Sequence, residues 1–255
     1  PGDTASQAMM FALAGRARWS LYRGADPDAW MRKAMEIDPV VPYGFVLSAF
    51  VQFVGDLDAP SLPDGPSEPL ARQILEWLDR ATAAPDWLEL TKDEFEAVMN
   101  TIRHMITGDY AAAEKACSYA LVEPELVWLS RDLHVIRARA RFLQKDYKGA
   151  IDDQAEVAKM RKLNTAARYW LGRFKMCQAA ASGSAALYAE AFNELSDATT
   201  LDPRCAPAHA RKGDILMVQG KFKEAVSAYE AALNIVPDDA EIKRSLQAAR
   251  EKAGP

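Results

Sequence analysis

Residues 206–239 read APAHARKGDILMVQGKFKEAVSAYEAALNIVPDD, the most regular pattern in the chain. Small or apolar residues recur there at the 3.6-residue period of an α-helix, and Pro237 closes the run. These positions are Gly213, Leu216, Phe222, Ala225, Tyr229, Ala232 and Leu233. Gly220 lies between the two halves, where its lack of a side chain frees the backbone for a turn. The pattern predicts two amphipathic helices that meet at this glycine.

The small residues of this helical pair matter as much as the large ones. The positions with little or no side chain are Gly213, Ala225 and Ala232. A neighbouring helix can approach closely there, while Phe222 and Tyr229 fill the space alongside. At these residues the chain resembles the tetratricopeptide repeat (TPR) family, whose unit is a helix–turn–helix of about 34 residues. His209 and Lys212 stand where the full family pattern has Trp and Leu. The resemblance implies an all-α fold, a right-handed superhelical solenoid of such repeats.

Further repeats are visible upstream of this pair. Gly108-Asp109-Tyr110 is matched 37 residues later by Lys145-Asp146-Tyr147, and Tyr188 is matched by Phe222 after 34 residues. We therefore expect four recognisable repeats within residues 90–237, beginning near residues 94, 131, 165 and 206. A polar helix from Ala240 to Lys252 follows. It is expected to cap the solenoid within residues 238–255, since a polar end unit keeps a repeat array soluble.

The whole chain, residues 1–255, is predicted to be one solenoid domain. Residues 1–89 are expected to hold degenerate repeats, because the helix-ending pair Asp38-Pro39 recurs as Asp202-Pro203. Residues 55–69, GDLDAPSLPDGPSEP, place proline at positions 60, 63, 66 and 69. This spacing forbids a helix and favours an extended loop.

The first half is also similar to the tetratricopeptide repeat protein 38 family in the order of its elements. An Asp-Pro helix ending, an apolar helix over residues 43–54, a spacer and Leu90-Thr91 lead to Gly108-Asp109. That family tends to place a histidine early in the helix after the Leu-Thr pair. This chain has Ala97 thereabouts.

Composition bounds the class of protein. The 255 residues carry a net charge of −5, and no apolar run approaches the roughly 18 residues that a membrane span needs. The three cysteines are widely spaced, which favours unpaired thiols in a reducing compartment such as the cytoplasm. Pro1-Gly2 leaves room for a removed signal peptide.

The stretch between Arg131 and Lys175 is basic, with twelve Lys and Arg against five Asp and Glu. That excess favours an anionic partner, although solvated helix faces would carry the same charges, and nucleic acid is not expected at this overall charge.

No enzyme is predicted. The chain lacks G-x-G-x-x-G, the Walker loop, H-E-x-x-H and G-x-S-x-G. His104, His134 and His209 fall in three different repeats without further ligands in register, so neither a metal nor a cofactor is expected.

The resemblance to TPR arrays implies a concave groove lined by the first helix of each repeat. Transferring the groove positions gives Phe95, Val98, Ile102, Val135, Arg139, Phe142, Tyr169, Arg173, Met176 and Asp214. Guanidinium groups bind carboxylates bidentately and stack on aromatic rings. The expected partner is therefore a protein or peptide with apolar anchors and an acidic group. The apolar members fit a core position equally well, since one residue of register moves them inside.

The chaperone-binding TPR pattern is not met. It requires Lys, Asn, Asn, Lys and Arg at set positions, which here hold Val98, Ile102, Ile136, Pro207 and Arg211. Only Arg211 agrees, so chaperone tails are disfavoured as ligands.

The predicted function is a non-catalytic scaffold that binds a peptide segment or partner protein in the groove. Two alternatives stay open. The chain would otherwise be a self-assembling structural repeat protein, or the regulatory, partner-binding portion of a larger enzyme.

Overall fold

The computed structural model describes residues 67–83, 92–160 and 162–254, together with the single residues Lys33, Ile37 and Phe53. Within the three ranges the chain forms ten α-helices and one short 3-10 helix, Pro124–Leu129. The α-helices are α1 (Glu68–Ala83), α2 (Lys92–Thr107), α3 (Tyr110–Ala120), α4 (Ser130–Leu143), α5 (Tyr147–Met160), α6 (Thr165–Ser182), α7 (Ala185–Leu201), α8 (Ala206–Val218), α9 (Phe222–Ile235) and α10 (Ala240–Ala253). The predicted all-α class is confirmed.

The helices fall into two compact units that meet in sequence between Gln144 and Lys145. In the first unit, α1 contacts α2, α2 contacts α3, and α3 contacts α4. In the second unit, α5 to α10 contact one another consecutively. Short connections make consecutive helices antiparallel. In the second unit α8 also touches both α6 and α10, so alternate helices lie side by side as in stacked helix–turn–helix repeats.

Side chains at the helix starts explain where the helices begin. The first backbone N–H groups of a helix lack partners within it, and a side-chain oxygen can accept from them. At the starts of α3, α5, α6, α7 and α10, the residues that do so are Asp109, Asp146, Asn164, Ser184 and Asp239. Gly220 ends the α8–α9 turn with φ of +73°, a conformation that glycine adopts without steric cost. The turn predicted at this glycine is confirmed.

Two glycines set the closest approach of paired helices. A Cβ built on Gly213 of α8 would lie 2.6 Å from Cε1 of Tyr229 on α9. A Cβ on Gly172 of α6 would lie 2.8 Å from Cγ of Leu195 on α7. Both pairs therefore pack a large side chain of the second helix directly on the bare backbone of the first. This is the packing that the small residues of the repeat predict.

The core of the last repeat continues into the final helix. Ile242, Leu246 and Ala249 of α10 pack with Ala225 and Tyr229 of α9 in one buried cluster. The opposite face of α10 is polar and exposed. The expected C-terminal capping helix is confirmed, and it ends one residue later than predicted, at Ala253.

One predicted boundary needs correction. The Pro-rich loop was expected to reach residue 69, but α1 begins at Glu68. Pro69 is the second residue of that helix, where its missing N–H costs nothing because the first N–H groups of a helix have no internal acceptor. The rest of the loop, residues 55–66, and the degenerate repeats of residues 1–66 lie outside the described residues apart from the three single positions. The single-domain arrangement of residues 1–255 stays a prediction.

Candidate functional site

A pocket of about 340 Å³ opens in the second unit, walled by α6, α8, α9 and α10. Its charged and polar lining comes from Arg173, Arg211, Asp214, Tyr229, Asp239, Glu241 and Ser245. Its apolar lining comes from Tyr169, Ala206, Pro207, Ala210, Val236 and Ile242. Three of the predicted groove residues, Tyr169, Arg173 and Asp214, therefore line one pocket.

Asp214 is the centre of a hydrogen-bonded network at the base of this pocket. Tyr229 donates its hydroxyl hydrogen to Asp214 Oδ1 at 2.8 Å, and Arg211 Nη1 donates to Asp214 Oδ2 at 2.8 Å. Each carboxylate oxygen of Asp214 thus accepts a hydrogen bond from a different helix, Oδ1 from α9 and Oδ2 from α8. Charge-assisted hydrogen bonds of this kind are short and directional, so they hold all three side chains in place.

The network shifts two pKa values. Burial raises the pKa of Tyr229, and the neighbouring charge and hydrogen bond of Asp214 raise it further. Burial alone would lower the pKa of Arg211, but the charge and hydrogen bond of Asp214 outweigh it and leave that pKa above its ordinary value. At neutral pH the pocket therefore holds a neutral phenol and a charged guanidinium.

A second guanidinium, that of Arg173, lies on the α6 wall of the pocket. Its Cζ is 4.8 Å from the centroid of the Trp170 ring, a cation–π distance. Burial raises the pKa of the half-buried Cys177 thiol, and the charges of Arg173 and then Arg211 partly offset that rise. Arg173 and Arg211, from α6 and α8, therefore both line the pocket.

The beginning of α10 supplies the acidic edge of the pocket. Asp239 caps this helix by accepting from the backbone N–H groups of Glu241 at 2.9 Å and Ile242 at 3.0 Å. Glu241 lies in the first turn with 69% of its side chain exposed, and its Oε1 is 3.6 Å from Arg211 Nη2. The carboxylate of Asp239 is therefore committed to the helix, while that of Glu241 is exposed to solvent.

The remaining predicted site residue of the second unit, Met176, is half-buried on α6 and does not line this pocket. In the first unit, Val98, Ile102 and Val135 have at most 2% of their surface exposed. Side chains so deeply buried offer no surface to a ligand in this structure, so they stabilise the core of the unit. This is the outcome expected if the groove register is displaced by one residue.

Two further predicted residues of the first unit lie on α4. Arg139 is 4% exposed, and Phe142 is half-buried. An almost buried guanidinium offers little surface to a ligand in this structure. The side chain of Phe95 lies outside the described residues, although its backbone belongs to α2. Ligand contact by any of the predicted residues stays a prediction.

Sequence reasoning missed Tyr229 and Glu241 as pocket residues. Tyr229 carries a packing signal in the repeat, and nothing in its spacing shows that its hydroxyl reaches Asp214. Glu241 belongs to the capping helix, which the groove pattern does not include. Arg211 carried a signal, since it was the single match to the chaperone-binding pattern.

The basic stretch from Arg131 to Lys175 distributes its charge among several internal pairs. Arg141 Nε lies 2.8 Å from Glu114 Oε1 in the first unit. In the second unit, Glu194 receives Arg168 at 2.8 Å and Lys175 at 3.0 Å. These carboxylates lie outside the stretch, and they neutralise part of its excess charge.

Membrane spans and metal clusters are both absent from the part of the chain that the structure describes. None of the helices there is both long and apolar enough to cross a membrane. Over the same residues, no group of three or more His, Cys, Asp or Glu side chains is arranged to hold a metal ion.

Comparison with known proteins agrees with the helical fold described above. The sequence model of the family described as Tetratricopeptide repeat matches residues 184–249, which span α7 to most of α10. The chain contains tetratricopeptide repeats. They imply a role in protein interaction, since stacked repeats present extended binding surfaces. The resemblance to the tetratricopeptide repeat protein 38 family is not shown.

Among curated proteins, this TPR chain is 34% identical over 110 residues to small glutamine-rich tetratricopeptide repeat-containing protein 2 of Saccharomyces cerevisiae. The match covers 42% of this chain and 30% of the yeast protein. The protein of the same name from Mycosarcoma maydis is 28% identical over 108 residues, which cover 42% of this chain and 29% of that protein. The TPR chain thus matches less than a third of the length of these relatives.

Two solved structures show the same fold. PilW, a widely conserved type IV pilus biogenesis factor, superposes with a TM-score of 0.64 at 13% identity, over 96% of this chain and 100% of PilW. YrrB, a TPR protein with an unusual peptide-binding site, superposes with a TM-score of 0.53 at 19% identity. That match covers 86% of this chain and 96% of YrrB. At such identities the likeness concerns the fold alone.

Proposed function

We propose that this TPR protein is a non-catalytic interaction module whose second unit binds a segment of a partner protein in the α6–α8–α9–α10 pocket. The single observation that carries the proposal is the convergence of two guanidinium groups with an apolar wall in one cavity. The segment would present an acidic group to Arg173 and Arg211 and an apolar side chain to Pro207 and Ile242.

The size of the pocket supports a segment as its occupant. A cavity of about 340 Å³ is at the low end of the range for small-ligand sites, so it holds one or two side chains of a peptide. YrrB, a TPR protein of similar fold, has a peptide-binding site, which is consistent with this use of the fold.

The charges of the pocket support an acidic group in that segment. Arginine presents several donors in a rigid fork that matches a carboxylate. Of the carboxylates in the lining, Asp214 and Asp239 already accept hydrogen bonds from within the protein. The lining holds these two carboxylates and that of Glu241 beside two guanidinium groups, so an acidic group would rely on the forked donors of the arginines and not on an excess of positive charge.

The titratable groups of the pocket favour binding over catalysis. Tyr229 has a raised pKa and a hydroxyl hydrogen committed to Asp214, so it is poorly suited to act as a base at neutral pH. The nearby thiol of Cys177 has its pKa raised by burial, which lowers its nucleophilicity. Cys117, Cys177 and Cys205 form no disulfide in the described part of the chain, which is also consistent with a reducing compartment such as the cytoplasm.

A selection from displayed peptides tests this proposal. A phage library of random dodecapeptides would be selected on the purified protein, and an enriched peptide would be synthesised for calorimetric titration. We expect Arg173→Glu to weaken binding at least tenfold, because a carboxylate would then face the acidic group of the peptide. The matched control is Lys223→Glu, an equal charge change at an exposed position of α9 outside the pocket.

Enriched peptides without acidic residues, or equal affinity of the wild type and a folded Arg173→Glu variant, would contradict the assignment. Light scattering of each protein separates self-association from peptide binding, because a self-assembling chain shows a mass that rises with concentration.

A further inference from the structure

Arg211 has two carboxylate partners of unequal quality. Its Nη1 donates to Asp214 at 2.8 Å, whereas its Nη2 lies 3.6 Å from Glu241 Oε1. The second distance is beyond a direct hydrogen bond. Asp214 lies three residues from Arg211 on α8, while Glu241 reaches across the pocket from α10. The two ends of one guanidinium group are thus held very differently.

Asp214 keeps Arg211 ordered whether or not Glu241 is near. Asp214 is itself held by Tyr229, whose ring is 2% exposed and packs on Gly213. The Nη1 edge of Arg211 is therefore anchored to the core of the repeat. Its Nη2 edge faces the pocket, where its acidic neighbour is the solvent-exposed Glu241.

We propose that Glu241 is a built-in competitor for the ligand's acidic group, and that a partner segment binds by displacing it from Arg211. The inference rests on the proposed function, since it concerns the same pocket. In the unliganded protein Glu241 occupies the anion position beside Arg211. In the complex an aspartate or glutamate side chain of the partner segment takes this position.

Two physical features make the displacement feasible. An exposed ion pair with a 3.6 Å separation contributes little stability, so releasing it costs less than a direct charge-assisted hydrogen bond at Nη2 returns. Glu241 also remains in the first turn of α10 after release, where a negative charge is favoured by the helix dipole. The contact of Glu241 with Arg211 is therefore weak enough to be broken, and the released carboxylate stays in a favourable position at the start of α10.

The expected consequence is a cost that falls on acidic segments. A neutral segment has no carboxylate to place at Arg211, so it leaves the Glu241 contact intact. An acidic segment must break that contact before it forms a closer one. Glu241 thus lowers the affinity for acidic segments and has little effect on neutral ones.

The test uses two blocked tripeptides as probes, acetyl-Leu-Asp-Leu-amide and acetyl-Leu-Asn-Leu-amide. NMR titrations would follow the Nε–Hε resonances of Arg173 and Arg211 in the wild type and in Glu241→Gln. We expect Glu241→Gln to tighten binding of the aspartate peptide about two- to fivefold, the range of an exposed ion pair. Glu241→Gln should change the affinity for the asparagine peptide by a smaller factor than the affinity for the aspartate peptide. Glu251→Gln is the matched control, since it removes the same charge from α10 away from the pocket.

The outcomes distinguish this inference from the proposed function. An aspartate peptide that binds the wild type through Arg173, with unchanged or weaker binding to Glu241→Gln, overturns the competitor role alone. Equal tightening of both peptides also overturns it, because the pocket would then have opened without charge selectivity. An aspartate peptide that fails to move either arginine resonance in any variant overturns the proposed function as well. Melting curves check that Glu241→Gln remains folded.

Discussion

Replacing Gly213 with alanine tests the packing on which the pocket depends. In an ordinary helix interior this substitution stabilises a protein by about 1 kcal/mol, because alanine loses less backbone freedom on folding. Here the added Cβ would lie 2.6 Å from Cε1, 2.8 Å from Cζ and 2.9 Å from Cδ1 of Tyr229. All three distances are shorter than van der Waals contact, so the ring or the helices must move.

The Tyr229 ring has little room to move. It is 2% exposed, and its hydroxyl is held by Asp214 at 2.8 Å. Overpacking of this kind costs about 1–3 kcal/mol, and weakening a hydrogen bond to a charged group costs up to about 3 kcal/mol more. After subtraction of the alanine propensity, we expect Gly213→Ala to lower the free energy of unfolding by up to about 5 kcal/mol.

The assay is urea unfolding followed by far-UV circular dichroism, with a double-mutant cycle. Tyr229→Val removes the three ring atoms that the new methyl group would meet. In that background we expect Gly213→Ala to become neutral or stabilising by up to about 1 kcal/mol, since only the helix propensity is left. If Gly213→Ala stabilises the wild type, or costs the same in both backgrounds, the packing argument is refuted.

Three further predictions follow from the same region. Burial and Asp214 raise the pKa of Tyr229 in the folded protein. The neutral phenol therefore contributes its whole stabilising free energy below its unfolded pKa near 10, and this contribution is lost as pH rises toward the folded pKa. Urea unfolding between pH 8 and 11 should therefore show a steeper loss for the wild type than for Tyr229→Phe, and parallel curves would contradict this. Asp239→Ala removes the N-cap of α10 and should cost about 0.5–2 kcal/mol of unfolding free energy, whereas Asp239→Asn should retain most of it. Finally, the raised pKa of Cys177 predicts slow alkylation of its thiol by iodoacetamide at pH 7.5. Arg173→Gln should slow the alkylation further, because it removes a charge that favours the thiolate. Mass spectrometry of the modified peptide measures both rates.

The fold was predictable because its signals are local and repeated. The pairing of Gly213 with Tyr229 needs only a bare position on one helix and a large one on the next, and both are visible in the sequence. The start of α10 was equally visible, since Asp239 precedes a polar helix and caps it. Each of these features depends on residues close in sequence, so no knowledge of the surrounding structure is needed.

The candidate site was harder to predict because lining a pocket is a question of a side chain's direction. One residue of register rotates a helix position by about 100°, which is enough to turn a groove residue into a core residue. Val98 and Ile102 are buried in the core of the first unit, and Arg139 is almost buried on α4. Tyr169, Arg173 and Asp214 did reach one pocket, since α6 and α8 lie side by side within the same unit.

Tyr229, a pocket residue that the sequence did not reveal, contacts Asp214, which the groove pattern predicted. The repeat pattern places Tyr229 against Gly213, and this contact fixes where the ring ends. The hydroxyl at that end holds Asp214, and Asp214 holds the Nη1 edge of Arg211. A packing position of the repeat thus determines the orientation of a charged group three contacts away. The same chain of contacts makes the orientation of Arg211 depend on how closely α8 and α9 approach. A substitution at Gly213 should therefore alter ligand affinity as well as stability.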